Sequence, residues 1–161
     1  MLLEAGRRLR SDGEVKPFVL HIVTTSAIEA EEGVVVHREL KPNDDDLIKL
    51  YQQSHIFCLP TFADCLPMVL SEAGAMGLAL VSTDVGAIRE IVRQNETGVL
   101  VPRGDVDALT AALKQLINDS ELRDRLGGAA ARFVRQQYDA RANANALAQL
   151  LISLTTVPSA T

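Results

Sequence analysis

The chain has no tryptophan, two tyrosines and four phenylalanines, so aromatic side chains make up 4% of its 161 residues. Composition therefore gives no evident platform on which bases or sugars would stack. Cysteine is equally scarce, with Cys58 and Cys65 the full complement. Two cysteines without metal-type spacing offer neither a disulfide framework nor a zinc site. A reducing, cytoplasmic setting is the simplest reading. Cys65 reads first as a small space-filling residue and second as an exposed thiol. Positive charge is in deficit: 16 Lys and Arg against 21 Asp and Glu leave a formal charge of −5. That balance argues against non-specific binding to nucleic acid. It leaves room for an anionic ligand, because a few donors at a helix N-terminus suffice for a phosphate. No apolar run approaches the roughly 18 residues needed to span a bilayer. The first residues lack the apolar stretch of a signal peptide. There is no internal repeat, linker or low-complexity tract.

What is present is an ordinary globular composition, 47% hydrophobic and 23% charged, long enough to bury one core. Apolar residues among charges predict a helix over Met1 to Leu9, stopped by Ser11-Asp12-Gly13. Apolar runs predict strands at Phe18 to Val23, Gly33 to His37, Ile56 to Leu59, Leu78 to Ser82 and Gly98 to Pro102. A polar loop is expected over residues 26–32. Pro42-Asn43-Asp44 offers capping residues for a helix over Asp45 to Gln53, with Leu47, Leu50 and Tyr51 on one face. Proline in the first turn predicts a helix from Pro67 to Met76, and a shorter one is expected from Gly86 to Arg93. From Asp105 the chain reads as helical throughout. One stripe is Leu109, Leu113, Leu116 and Ile117; the next is Leu122, Leu126, Phe133 and Val134. The third is Ala144, Leu147, Leu150 and Leu151, with Asp119 and Ser120 capping between the first two helices. Strands alternating with helices predict an α/β fold: one doubly wound parallel sheet covered on both faces, with a helical C-terminal extension. The domain is expected over residues 1–157 and a frayed tail over 158–161.

Two carboxylates stand out. Asp64 follows the strand end at Ile56 to Leu59, and Glu72 lies seven intervening residues later, inside the helix that follows. This places two acceptors at the rim of an open sheet, where α/β proteins bind ligands. Glu72 can accept bonds from vicinal ribose hydroxyls, and Asp64 from hydroxyls of a sugar. The N–H groups of Met68 to Leu70, at a helix N-terminus, can face a diphosphate. Gly86 would let a second loop approach the ligand. Plainer readings stand beside these. Asp64 can simply cap its helix, and Glu90 reads as a surface acid. His21, His37 and His55 are dispersed and read as packed or edge residues. Arg38 and Lys41 can reach a ligand from the rim or sit in a solvated loop.

The segment from Leu50-Tyr51 through Leu126-Gly127 resembles the C-terminal, donor-binding domain of GT-B retaining glycosyltransferases, the glycosyl transferases group 1 (family 4). The matching residues are Tyr51, Leu59-Pro60-Thr61, Asp64, Glu72-Ala73, Gly77 and Asp84-Val85-Gly86. They continue through Glu90-Ile91-Val92, Thr97-Gly98-Val99-Leu100-Val101-Pro102, Gly104-Asp105 and Glu121-Leu122-Arg123. The resemblance implies a Rossmann-like sheet forming the C-terminal half of a GT-B fold. It implies transfer of a sugar from a nucleoside diphosphate sugar to an acceptor, with retention. Glu72 would hold the donor ribose and Asp64 the donor sugar. Leu66, Pro67, Met68 and Val69 would offer backbone groups to sugar and diphosphate, and the loop from Arg38 to Leu40 would meet the nucleobase. The resemblance implies neither a bound metal nor a resident cofactor.

The chain departs from the family pattern at several points. Asp64 stands where the family has Glu, one methylene longer. Cys65-Leu66-Pro67 replaces Gly-Phe-Gly, and proline removes one backbone donor. Gly86-Ala87 replaces a glycine pair. The family's first strand, the Arg/Lys loop after it and the N-terminal acceptor domain have no counterpart in these residues. The isolated chain is therefore expected to be inactive, with the acceptor domain as its partner and membrane association possible for the parent protein. An unpaired sheet edge would invite a homo-oligomer. Two other readings remain open: a non-catalytic assembly module with a decayed site, and a fragment of a GT-B-fold epimerase.

Overall fold

The computed structural model describes residues 1–29 and 31–155; the tail expected at 158–161 lies outside them. Helix α1 (Leu2–Ser11) leads to strands β1 (Leu20–Val23) and β2 (Val34–His37), then α2 (Asp45–Gln53) and β3 (Ile56–Leu59). Next come α3 (Met68–Ala75), β4 (Ala79–Thr83), β5 (Gly98–Val101), α4 (Val106–Asn118), α5 (Ser120–Gln137) and α6 (Ala140–Thr155). Every predicted helix and strand but one is present.

The exception is the helix expected over Gly86 to Arg93, which is only a three-residue 3₁₀ turn at Ile88–Glu90. Both flanks are tied elsewhere. Ala87 donates its N–H to the Cys65 carbonyl at 2.8 Å, and Arg93 N–H goes to the Thr97 hydroxyl at 2.8 Å, so neither joins a helical ladder. Asp44 occupies the N-cap of α2, yet its carboxylate accepts from Lys41 N–H at 2.8 Å rather than from the helix. Pro67 is the N-cap of α3 and not a first-turn residue. Asp119 caps α5 as expected, accepting from Leu122 N–H at 2.9 Å.

The strands are parallel but form two sheets, β1-β2 and β3-β4-β5. In the larger sheet, Ile56 pairs with Ala79 and Leu80 with Gly98. β4 is buried at all five positions and divides the core. Ala79 and Val81 face Leu9 of α1 with Leu109, Leu116 and Leu126 of α4 and α5. Leu80 faces Leu70 and Ala73 of α3 with Ala130 and Val134 of α5. Each such leucine contributes about 1.5–3 kcal/mol by leaving water.

Burial falls off toward β1 and β3. β1 alternates between half-buried and exposed residues, and β3 is half-buried throughout. The expectation of uniformly buried strands thus holds at β4 alone. α2 carries no fully buried residue although Leu47, Leu50 and Tyr51 share a face as predicted. α6 has none either, and its Leu147, Leu150 and Leu151 are exposed, so the third predicted stripe covers no core.

Candidate functional site

The loop after β3 carries Asp64 and is pinned from three directions. Ser82 and Thr83, buried at the end of β4, donate their hydroxyls to the carbonyls of Leu59 and Thr61 at 2.8 and 2.6 Å. The second bond carries the contact with β4 past Leu59, the last residue of β3. The loop after β4 closes in at Gly86 and Ala87, and Arg103, just after β5, reaches the Phe62 carbonyl at 3.4 Å. Gly86 has φ of 54°, and a Cβ there would overlap the Asp64 carbonyl oxygen. Its lack of a side chain thus lets two protein loops meet. The Asp64 side chain stays exposed at the rim.

α3 follows directly. Leu70 N–H bonds to the Pro67 carbonyl at 3.1 Å, so of the three first-turn amides expected to face a ligand it is already engaged. Met68 and Val69 N–H lie in the turn where a helix has no internal partner. Leu66 packs its side chain against the core around Leu70 and Ile88, leaving its backbone to the loop. Met68 is exposed. Glu72 is exposed one turn further on. It lines a cavity of about 1150 Å³ together with Val69, Leu40, Thr24 and Tyr51. The Tyr51 hydroxyl is held above its ordinary value, first by burial and then by the charge of Glu72.

The cavity therefore brings together Glu72, Val69 and Leu40. Asp64, Leu66, Pro67, Met68 and Gly86 form the adjoining rim. Arg38 is committed elsewhere: its guanidinium donates to the carbonyls of Ser26 and Ile28 at 2.7 and 2.8 Å, fixing the loop between β1 and β2. Arg89 and Arg103 escaped sequence reasoning. Both follow strand ends, but Arg89 falls within the expected short helix and Arg103 in the unassigned step between β5 and α4. Arg89 pairs with Asp84 at 2.8 Å, and Arg103 is the residue bridging the loops after β3 and β5. Among the described residues no His, Cys, Asp and Glu cluster has metal-binding geometry, and no helix is long and apolar enough to cross a membrane.

Parallel strands flanked by helices match the fold of the GT-B glycosyltransferases. The chain belongs to the glycosyl transferases group 1, whose family model matches residues 24–133. It is 36% identical over 110 residues to a phosphatidyl-myo-inositol mannosyltransferase of Mycobacterium leprae, an alignment covering 66% of this chain and 29% of that protein. The solved sucrose-phosphate synthase of Thermosynechococcus elongatus superposes with a TM-score of 0.69 at 25% identity, over 77% of this chain and 31% of that one. The Anabaena protein HepE in complex with UDP-glucose shares the fold, with a TM-score of 0.67 at 19% identity over 76% of this chain and 33% of that one. The chain thus spans about a third of the length of each of these three proteins.

Proposed function

We propose that this chain is the donor-binding half of a glycosyltransferase that moves a sugar from a nucleoside diphosphate sugar to an acceptor with retention. The observation that carries the reading is Glu72: a carboxylate on α3, at the mouth of a cavity and one turn from the first-turn amides of Met68 and Val69. Both carboxylate oxygens accept from vicinal ribose hydroxyls, and the amides meet the diphosphate with the positive end of the helix dipole. Asp64, at the loop rim, accepts from the hydroxyls of the donor sugar. Leu66 and Pro67 shape that loop, and Leu40 offers an apolar surface to the base. Membership of the group and the UDP-glucose held by HepE on the same fold support this reading.

The acceptor and the rest of the transfer machinery belong to a partner domain in this reading, so the isolated 161 residues bind a donor without turning it over. Calorimetry with UDP, wild type against Glu72→Ala, tests the binding role. Loss of charge-assisted hydrogen bonds worth about 1.5–3 kcal/mol weakens binding roughly ten- to a hundredfold. Equal affinity in both proteins would remove Glu72 from the site. Sugar transfer by the purified chain would overturn the division of labour.

A further inference from the structure

Of the four phenylalanines and two tyrosines, five rings are packed away. Phe18 lies against the core around Leu9 and Leu109. Tyr51, Phe57, Phe133 and Tyr138 lie against the core around Leu70 and Leu80. Phe62 joins neither group and is 59% exposed. It stands on the loop after β3, two residues before Asp64, and does not line the cavity that holds Glu72. We propose that Phe62 and Arg103 form a second sugar subsite on the β5 side of Asp64, one that takes a sugar ring carrying an anionic group and belongs to the acceptor. The assignment to the acceptor rests on the donor-binding reading above.

The ring is presented on a fixed backbone. Thr83 donates its hydroxyl to the Thr61 carbonyl at 2.6 Å, and Thr61 donates its own to the Ala63 carbonyl at 3.1 Å. The Phe62 carbonyl between them accepts from the Arg103 guanidinium at 3.4 Å. A ligand that stacks on a ring so held loses little freedom in ordering the loop. The next residue, Gly104, has φ of 80°, and a Cβ there would come within 3.7 Å of the ring's Cε1. Glycine therefore leaves that edge of the ring uncovered. A sugar ring turns C–H groups to one face, and that face packs on an aromatic π surface while the hydroxyls stay at the edge.

Charge selects the second half of the ligand. Asp84 is occupied by Arg89 at 2.8 Å, and the Asp105 carboxylate accepts from Ala108 N–H at 2.8 Å. Among the described residues the polar contact of Arg103 is the Phe62 carbonyl alone, so most of its five N–H donors are unspent. A planar guanidinium in that state takes phosphate or carboxylate through two parallel hydrogen bonds. Arg103 lines a hollow of about 500 Å³ with Asp84, Gln94 and Leu100. The Gln94 Oε1 accepts from Leu100 N–H at 2.7 Å, which leaves the amide nitrogen to donate as well.

Placement joins the two halves to the donor site. Phe62, Asp84 and Arg103 follow the ends of β3, β4 and β5, the rim where open α/β sheets hold ligands. The bond from Arg103 ties this subsite to the loop that carries Asp64. A ring on Phe62 thus adjoins a sugar held by Asp64.

The test uses the 161-residue chain with saturating UDP and glucose 6-phosphate as the probe, followed by NMR. The probe is expected to shift the Phe62 ring signals and the Arg103 Nε–H. Phe62→Ala and Arg103→Gln should each weaken binding about fivefold or more, while Phe62→Tyr, which keeps the ring, should bind as wild type does. Both side chains are at the surface, so the thermal midpoints should stay unchanged. Glucose and inorganic phosphate each lack one half of the ligand and should bind about fivefold or more weakly than the probe. Glu72→Ala should weaken UDP and leave the probe alone, so that failure of the donor reading is seen separately. Equal binding of inorganic phosphate or of glucose, or no shift at Phe62, would overturn the subsite. Displacement of the probe by UDP would assign Arg103 to the donor diphosphate. Displacement by UDP-glucose but not by UDP would assign the ring to the donor sugar. Either result would overturn the acceptor role.

Discussion

Gly86 is packed against Asp64 so tightly that a Cβ at residue 86 would overlap the Asp64 carbonyl oxygen, while the neighbouring Ala87 N–H bonds to the Cys65 carbonyl at 2.8 Å. The loop that offers the first acid is thus held by the loop after β4. Gly86→Ala would meet two penalties. A left-handed backbone with a side chain costs about 1–2 kcal/mol, and the overlap adds to it. The thermal midpoint is expected to fall by several degrees, and UDP affinity with it as the Asp64 loop shifts. A midpoint equal to wild type would show that the two loops part without cost.

Tyr51 and Glu72 give a second check on the site. Burial is the larger cause of the raised Tyr51 pKa and the Glu72 carboxylate the smaller. Glu72→Gln removes one of these. The Tyr51 midpoint should move down in an ultraviolet titration, yet stay above its ordinary 10.0 because burial remains. Tyr138→Phe in both proteins isolates the signal, since tyrosines are two in number. An unmoved midpoint would place Glu72 away from the ring and out of the cavity.

Most of this fold is legible in the residues because its signals are local. Apolar runs give the strands, and Asp119 caps α5 where the sequence says. Glu72 lands on α3 for the same reason. The misses come from bonds between distant segments. Nothing near Gly86 announces that Ala87 will bond to Cys65 and stop a helix from forming. The stripe on α6 is a correct helical pattern, but periodicity names a face and not what covers it. The division into two sheets is likewise a property of spatial order, which strand composition does not encode.

His21 and His37 stack across β1 and β2 with centroids 5.3 Å apart and a ring nitrogen contact of 3.0 Å. His21 is held below its ordinary 6.5, first by desolvation and then by the charge of His37. The folded state therefore resists protonation. Stability from this group is present above pH about 6.5 and is lost as pH falls through the lowered folded value. A proton NMR titration should show the His21 midpoint below 6.5. His37→Gln should raise it only in part, because burial, the larger cause, stays. Full recovery would show that the charge of His37, and not burial, holds the midpoint down.

The two cysteines should differ in chemistry though they lie close in sequence. Burial pushes the Cys58 thiol up to about 12, while Cys65 is exposed in the rim loop. The thiolate is the reactive form. Iodoacetamide at mildly alkaline pH is expected to label Cys65 and spare Cys58, as read by mass spectrometry of the digested protein. The raised value also makes a stability statement. Between its ordinary 9.0 and about 12, folded Cys58 keeps a proton that the unfolded chain gives up. Its contribution is complete below pH 9 and declines as pH rises, by no more than about 1.4 kcal/mol per unit. Cys58→Val cannot ionise, so its urea midpoint should fall less than that of wild type between neutral and alkaline pH. Parallel losses in the two proteins would show that the thiol is hydrated and that the cavity wall at β3 is wet.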